Sequence, residues 1–258
     1  YEAGDPDTGY NTDALIVASS TDGGASFSTH KVARVFDDLD CYPIQLPGGQ
    51  GRQTLTGEQF RLAPYPSLAI DPTNGLIAIA WADDEGAGTC GNGGSTFSGT
   101  TSNQVKLLTS LDGSSWTLRH VTSTAPDKFY ASVGANNGVI AVGYETRDYA
   151  TAPNVPLCEA RLRDATTGDI TVLSTANVCY DQAVRLSSDG GATWSSQIRV
   201  SSQSSNPYVL FAGAFIGDYE GTAVDDQGNV FTVWTDNRGL PGVTPPNQDT
   251  MVGVIPGD

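Results

Sequence analysis

The sequence predicts an all-β chain assembled from a repeated unit of short antiparallel strands. Three observations lead there. The first is composition: the 258 residues include 30 Gly and 14 Pro, and only 16% are charged. That mixture suits short strands joined by many tight turns and does not suit long helices. The second is a turn met three times, in Ser20-Thr21-Asp22-Gly23-Gly24-Ala25-Ser26-Phe27, Ser110-Leu111-Asp112-Gly113-Ser114-Ser115-Trp116 and Ser188-Asp189-Gly190-Gly191-Ala192-Thr193-Trp194. The third is a separate hairpin, also repeated three times, whose second strand ends in an aromatic followed by acidic residues.

The turns predict their own flanking strands. Ala14 to Ala18 leads into the first and Ser28 to Val35 leaves it; Val105 to Thr109 and Thr117 to Val121 flank the second; Ala183 to Leu186 and Ser195 to Val200 flank the third. Asp-Gly between two apolar runs is a strong hairpin signal. The aspartate accepts from backbone N–H groups of the turn, glycine supplies positive φ, and the aromatic is expected to pack under the hairpin. The second repeat comprises three hairpins. Pro66 to Asp71 turns at Asn74-Gly75 into Leu76 to Trp81, Ala131 to Ala135 turns at Asn137-Gly138 into Val139 to Tyr144, and Gly221 to Asp225 turns at Gln227-Gly228 into Asn229 to Trp234. Tyr1-Glu2-Ala3-Gly4-Asp5 matches the end of such a second strand.

The thrice-seen turn resembles the Asp-box, or bacterial neuraminidase repeat, S-x-D-x-G-x-T-W, of secreted bacterial sialidase-like proteins. In that family the motif joins the third and fourth strands of propeller blades. The resemblance implies an all-β, sialidase-like β-propeller, with about three and a quarter blades in this chain and about six in a complete ring. The chain is then one partial domain with blade portions at 1–36, 60–122, 129–201 and 215–258. An open arc leaves faces and edges unpaired, so either the missing N-terminal blades are expected on a companion chain or in sequence removed from this one, or the arc closes against a partner. The motif specifies fold and not chemistry, since enzymes and non-enzymes both carry it.

Charge and cysteines bound the setting. The net charge of −16 repels nucleic acid and anionic membrane surfaces. No run approaches the roughly 18 apolar residues of a membrane helix. Met251 is the only methionine and the chain opens at Tyr1, which predicts a processed product that has lost a signal peptide. Cys41, Cys90, Cys158 and Cys179 form no C-x-x-C pair, so disulfides in a secreted, extracellular protein fit better than zinc. Cys158–Cys179 would clip the longest insertion, leaving Cys41–Cys90 by elimination.

In a propeller blade the loops before strand one and after strand two open on one face. Here those loops are long and unequal, growing from Tyr1–Asp22 through Trp81–Asp112 to Tyr144–Asp189, and variable loops on a rigid scaffold are where binding resides. Family sialidases clamp a substrate carboxylate with three arginines and use a tyrosine nucleophile, a glutamate and an acidic aspartate. The resemblance implies Arg61, Arg147 and Arg238 as clamp residues and Asp218, Tyr219 and Glu220 as the reacting cluster. Phe60-Arg61-Leu62-Ala63-Pro64 resembles the family's arginine motif with one residue added. Tyr219 and Glu220 share a side only if their strand has not yet begun. Asp5, Asp7 and Asp13 sit at oxygen-ligand spacing around Gly9, which makes calcium the one metal expected, with no cofactor required. His30 and His120 fall on outer strands, away from this face. The readings in play are an exo-glycosidase of sialidase type, a non-catalytic propeller that binds a glycan, glycoprotein or other protein, and a structural portion of a larger secreted protein. The sialidase reading requires three convergent arginines beside a tyrosine and a glutamate.

Overall fold

The computed structural model describes residues 13–35, 53–62, 64–84, 101–151, 160–163, 167, 170–174, 178–210, 213–237 and 248–257. Its strands are β1 Asp13–Ser19, β2 Ser28–Val35, β3 Ser67–Ile70, β4 Ile77–Asp84, β5 Asn103–Ser110, β6 Thr117–His120, β7 Lys128–Asn136, β8 Val139–Thr146, β9 Ala160–Arg163, β10 Ile170–Ser174, β11 Asp181–Ser187, β12 Ile198–Arg199, β13 Gly221–Val224, β14 Val230–Asp236 and β15 Asp249–Ile255. Among the described residues there is no α-helix. Every pairing is antiparallel between neighbours: β1 with β2, then β3-β4-β5-β6, β7-β8-β11-β12 and β13-β14-β15. The hairpin β9-β10 forms its own sheet within the long connection from β8 to β11, where the sequence predicts a loop.

The three aspartate turns close by one bonding scheme. In the first, Asp22 accepts from Ser26 N at 2.9 Å while Ser20 Oγ accepts from Gly24 N at 2.8 Å. In the second, Asp112 accepts from Ser114 N and Ser115 N at 2.8 and 2.7 Å, and Ser110 Oγ accepts from Gly113 N. In the third, Asp189 accepts from Thr193 N at 2.9 Å and Ser187 Oγ accepts from Gly191 N at 2.9 Å. The serine of the third turn is therefore Ser187, one residue before the segment recognised in the sequence. Donors aimed at each carboxylate hold all three well below the usual carboxylate range, Asp189 at about 2.

The sheets stack in chain order through their inward faces. Leu15 and Val35 meet Ile79, Trp81 and Leu108. On the other side of that first four-stranded sheet, Ala78, Ala80, Val105 and Leu107 meet Val133, Val142, Tyr144 and Ala183. Ala141 and Val184 then meet Val230. Strands covered on both faces lose the in-out alternation of polarity, and β4 is buried at seven consecutive positions, Ala78 to Asp84. The alanines and glycines set the spacing: a Cβ at Gly143 would lie 2.3 Å from Thr222 Oγ1 and 2.9 Å from Thr232 Oγ1.

Hairpin turns are tied edge to edge as well. Buried Asp71 accepts from Thr73 N at 2.9 Å, Thr73 Oγ1 at 2.7 Å, Asn74 Nδ2 at 3.1 Å and, across to the next sheet, Gly138 N at 2.7 Å. Asn137 Nδ2 in turn donates to the Asp226 carbonyl at 2.7 Å. These bonds join three successive sheets along the edge formed by their short turns.

Candidate functional site

At the opposite end of the strands, three segments that precede or open first strands come together. The segment 53–62 is anchored by Leu55, Phe60 and Leu62, which pack with Phe129, Tyr180 and Ile216. Phe60 and Phe129 stand 5.3 Å apart by ring centroid. This apolar base carries Arg61 and, four residues later, Tyr65. From β7 comes Tyr130. The register of β7 against β8 slips between Phe129 and Ser132, and Tyr130 has φ +49. A bulge of this kind re-aims a side chain out of the strand's alternation. Here it lets the hydroxyl of half-buried Tyr130 donate to the Arg61 carbonyl. The third segment runs from Gly213 to Glu220.

Between them lies a cleft of about 350 Å³ lined by Arg61, Tyr65, Tyr130, Asp218, Tyr219 and Glu220, with Ser67 at the start of β3. A second lobe of about 250 Å³ shares Arg61, Tyr130 and Asp218 and extends to Phe215 and Ile216. Because β13 begins only at Gly221, Asp218, Tyr219 and Glu220 are free of strand alternation, and all three line the cleft. Arg61 Nη2 pairs with Asp218 Oδ1 at 3.0 Å and donates to Tyr65 Oη at 2.8 Å. Tyr219 is 89% exposed at the rim. Gly217, at φ +106, lets the chain pass close to β14, where a Cβ would lie 2.1 Å from Thr235 Oγ1.

Behind Glu220 the structure is acidic and enclosed. Both oxygens of Glu220, Oε2 of Glu145 and Oε1 of Gln182 are buried without a well-formed hydrogen bond. The Glu145 carboxyl and the Gln182 side chain nevertheless lie close enough to act on the Glu220 proton. Burial drives both carboxyls above the usual range, and repulsion from Glu220 raises Glu145 further. Adjacent carboxyls in a dry site keep a proton between them because both cannot ionise cheaply. Gln182 Nε2 donates to Thr232 Oγ1 at 2.8 Å, which ties this enclosed group to β14.

No protein-family model matches the chain, and no curated protein matches it. Solved structures similar to it include a protein of unknown function from Dyadobacter fermentans (15% identity, TM-score 0.43, covering 83% of this chain and 54% of that one). A Hadza microbial sialidase aligns at 18% identity and TM-score 0.42, covering 93% of this chain and 38% of its own. A Trypanosoma rangeli sialidase in complex with the inhibitor DANA aligns at 11% identity and TM-score 0.36, over 83% of this chain and 31% of that chain. The chain thus spans between 31% and 54% of the length of these three structures. At such identities no site residue is carried over from them.

The remaining expected residues stand apart from the cleft or outside the described residues. Arg147 is buried, with Nη1 on the Thr56 carbonyl at 2.9 Å and on Asp127 Oδ2 at 3.2 Å. Its Nε is 3.9 Å from Glu58, a buried carboxyl that desolvation pushes up to about 8 against the pull of Arg147. Arg238, Asp5 and Asp7 lie outside the described residues, and Asp13 opens β1. Among the described residues no group of three or more His, Cys, Asp or Glu is placed to hold a metal ion. Cys179 is buried and disulfide-bonded; Cys41, Cys90 and Cys158 lie outside the described residues, so neither expected pairing is visible. Tyr65 and Glu58 went unmarked in the sequence. Tyr65 carried one faint signal, an aromatic just ahead of a strand and four residues after Arg61.

Proposed function

We propose that this chain is the glycan-recognising portion of a secreted, sialidase-like propeller and that the Arg61–Tyr219 cleft holds the sugar. The observation that carries the reading is the convergence of three tyrosines, Tyr65, Tyr130 and Tyr219, with Arg61, Asp218 and Glu220 around one open cleft. Aromatic faces suit the C–H faces of a pyranose, and paired polar groups suit its hydroxyls. The three aspartate turns, each with the same serine and glycine contacts, support the propeller assignment. The exposed outer faces of the first and last sheets support further blades on a companion polypeptide.

A second reading, hydrolysis, is favoured by Glu220. A carboxyl that keeps its proton near neutral pH at the floor of a cleft is what a general acid requires. Cleavage by a three-arginine clamp has less support, since Arg61 and Arg147 are already paired with protein carboxylates.

The test is binding of the purified chain to an immobilised glycan panel, run beside hydrolysis of fluorogenic sialosides and neutral hexosides. Retained binding with no turnover identifies a recognition module. Turnover lost in Glu220→Gln and in Tyr219→Phe identifies an enzyme. Absence of both binding and turnover would overturn the glycan reading.

A further inference from the structure

The two lobes meet at one feature, the Arg61–Asp218 ion pair, with Tyr130 backing both. We infer that the cleft is a two-subsite groove for an uncharged oligosaccharide, one sugar ring on each side of that pair. This rests on the glycan reading above and narrows it to a substrate class.

Three observations carry it. The first is shape: each lobe, at about 350 and about 250 Å³, has room for one pyranose ring, and both are lined by Arg61, Tyr130 and Asp218. A single sugar would leave one lobe filled only by water. The second is charge. Among the described residues lining either lobe, Arg61 is the only cation, and its guanidinium is engaged by Asp218 at 3.0 Å and by the Tyr65 hydroxyl at 2.8 Å. Both contacts use Nη2, so a sugar carboxylate reaching the exposed guanidinium would sit beside the Asp218 carboxylate, whose repulsion offsets what the arginine offers it. Glu220, which lines the larger lobe, adds an acidic group and offers an anion no counter-charge. The third is hydrogen-bond format. The ion pair presents guanidinium donors next to carboxylate acceptors, which matches a vicinal diol, whose hydroxyls both donate and accept. Tyr219, exposed at the rim of the larger lobe, supplies a stacking face for the ring held there.

The experiment uses the whole chain on an array of neutral, sialylated and uronic-acid oligosaccharides, followed by calorimetric titration of the best ligand and of its constituent monosaccharide. A neutral di- or longer saccharide is expected to bind at least about tenfold tighter than the monosaccharide, with no gain from a sialyl or uronic unit. Asp218→Asn is expected to weaken the neutral ligand and to raise affinity for sialylated ones, because Arg61 is then released. Tyr219→Ala, at an exposed position where the thermal transition should not move, is expected to weaken neutral binding by about tenfold. Equal affinity for monosaccharide and oligosaccharide overturns the two subsites. Tighter binding of acidic sugars by the unmodified chain overturns the neutral class. Failure to bind any sugar overturns the glycan reading itself, a different outcome from either.

Discussion

Glu58 and Gly217 show how single residues govern this molecule. Glu58 is buried with its proton affinity raised to about 8, whereas an unfolded chain holds a glutamate near its ordinary value of about 4.3. Between those two values the folded protein keeps a proton that the unfolded chain has released. Stability therefore falls as pH rises through that window, and the full penalty is present above about 8. The Glu145–Glu220 pair, raised for the same reason, acts in the same direction. The melting temperature is expected to drop by about 5 °C or more from pH 5.5 to pH 8.5. Glu58→Gln and Glu220→Gln should each flatten that slope, measured by calorimetry across the range; a slope unchanged in both variants would remove these carboxyls as its cause. Gly217 acts through geometry. An alanine there combines a φ of +106 with a Cβ 2.1 Å from Thr235 Oγ1, so the segment carrying Asp218, Tyr219 and Glu220 must shift. Gly217→Ala is expected to weaken the proposed glycan binding at least about tenfold and to cost about 1–3 kcal/mol of stability. Titration against the best neutral ligand and urea unfolding measure the two effects.

At the scale of elements, the strands were legible where a turn announces itself. β2 and the pairs around Asn74-Gly75, Asn137-Gly138 and Gln227-Gly228 fall within a few residues of their expected bounds, because Asp-Gly, Asn-Gly and Gln-Gly fix hairpin geometry locally. The hairpin β9-β10 was less legible, since the six residues between Ala160–Arg163 and Ile170–Ser174 carry Gly168-Asp169 but neither an Asp-Gly nor an Asn-Gly pair. The grouping of Arg61 with Asp218, Tyr219 and Glu220 could be read from which loops share an end of the strands. Arg147 looked equivalent to Arg61 by the same rule. What separates them is the packing of segment 53–62, which brings Glu58 and the Thr56 carbonyl to the Arg147 side chain from about ninety positions away. Contacts at that sequence distance leave no local pattern. Sheet-to-sheet cohesion is likewise invisible in the sequence, and it can be tested at two points. Asp71→Ala removes four hydrogen bonds, one of them from the neighbouring sheet at Gly138 N, and is expected to cost about 2–3 kcal/mol in urea unfolding. Gly143→Val drives a side chain into Thr222 and Thr232 and should cost at least about 3 kcal/mol, with β13 and β14 exchanging amide hydrogens faster than β4 and β5.

The whole molecule is a stack of sheets with two unlike ends. Trp194, from the third aspartate turn, packs against the core shared by the two four-stranded sheets, and Trp116, from the second, packs against the core beneath β1 and β2. Each turn aromatic thus seats in the interface with the preceding sheet. Phe27, from the first turn, occupies the same place in its repeat and is 63% exposed, with no described sheet before it. At the other end, β15 alternates cleanly, and Val252 and Val254 on its outer side are 59% and 55% exposed. Val252 lies beside Val233 and Val254 beside Phe231 in the register of β14 and β15, so the outer face of the last sheet is a contiguous apolar surface. Faces of this kind drive association, while the net charge of −16 opposes it between like copies. Raising the salt concentration screens the repulsion and leaves the apolar attraction, so the isolated chain is expected to associate more strongly at high than at low ionic strength. Sedimentation velocity over a concentration series tests this directly. Val252→Lys with Val254→Lys should weaken the high-salt association at least about tenfold while the melting temperature stays within a few degrees, since both positions already face water. A chain that stays monomeric in high salt would mean that these faces are tolerated in water, and the case for further blades covering them would lose its physical basis.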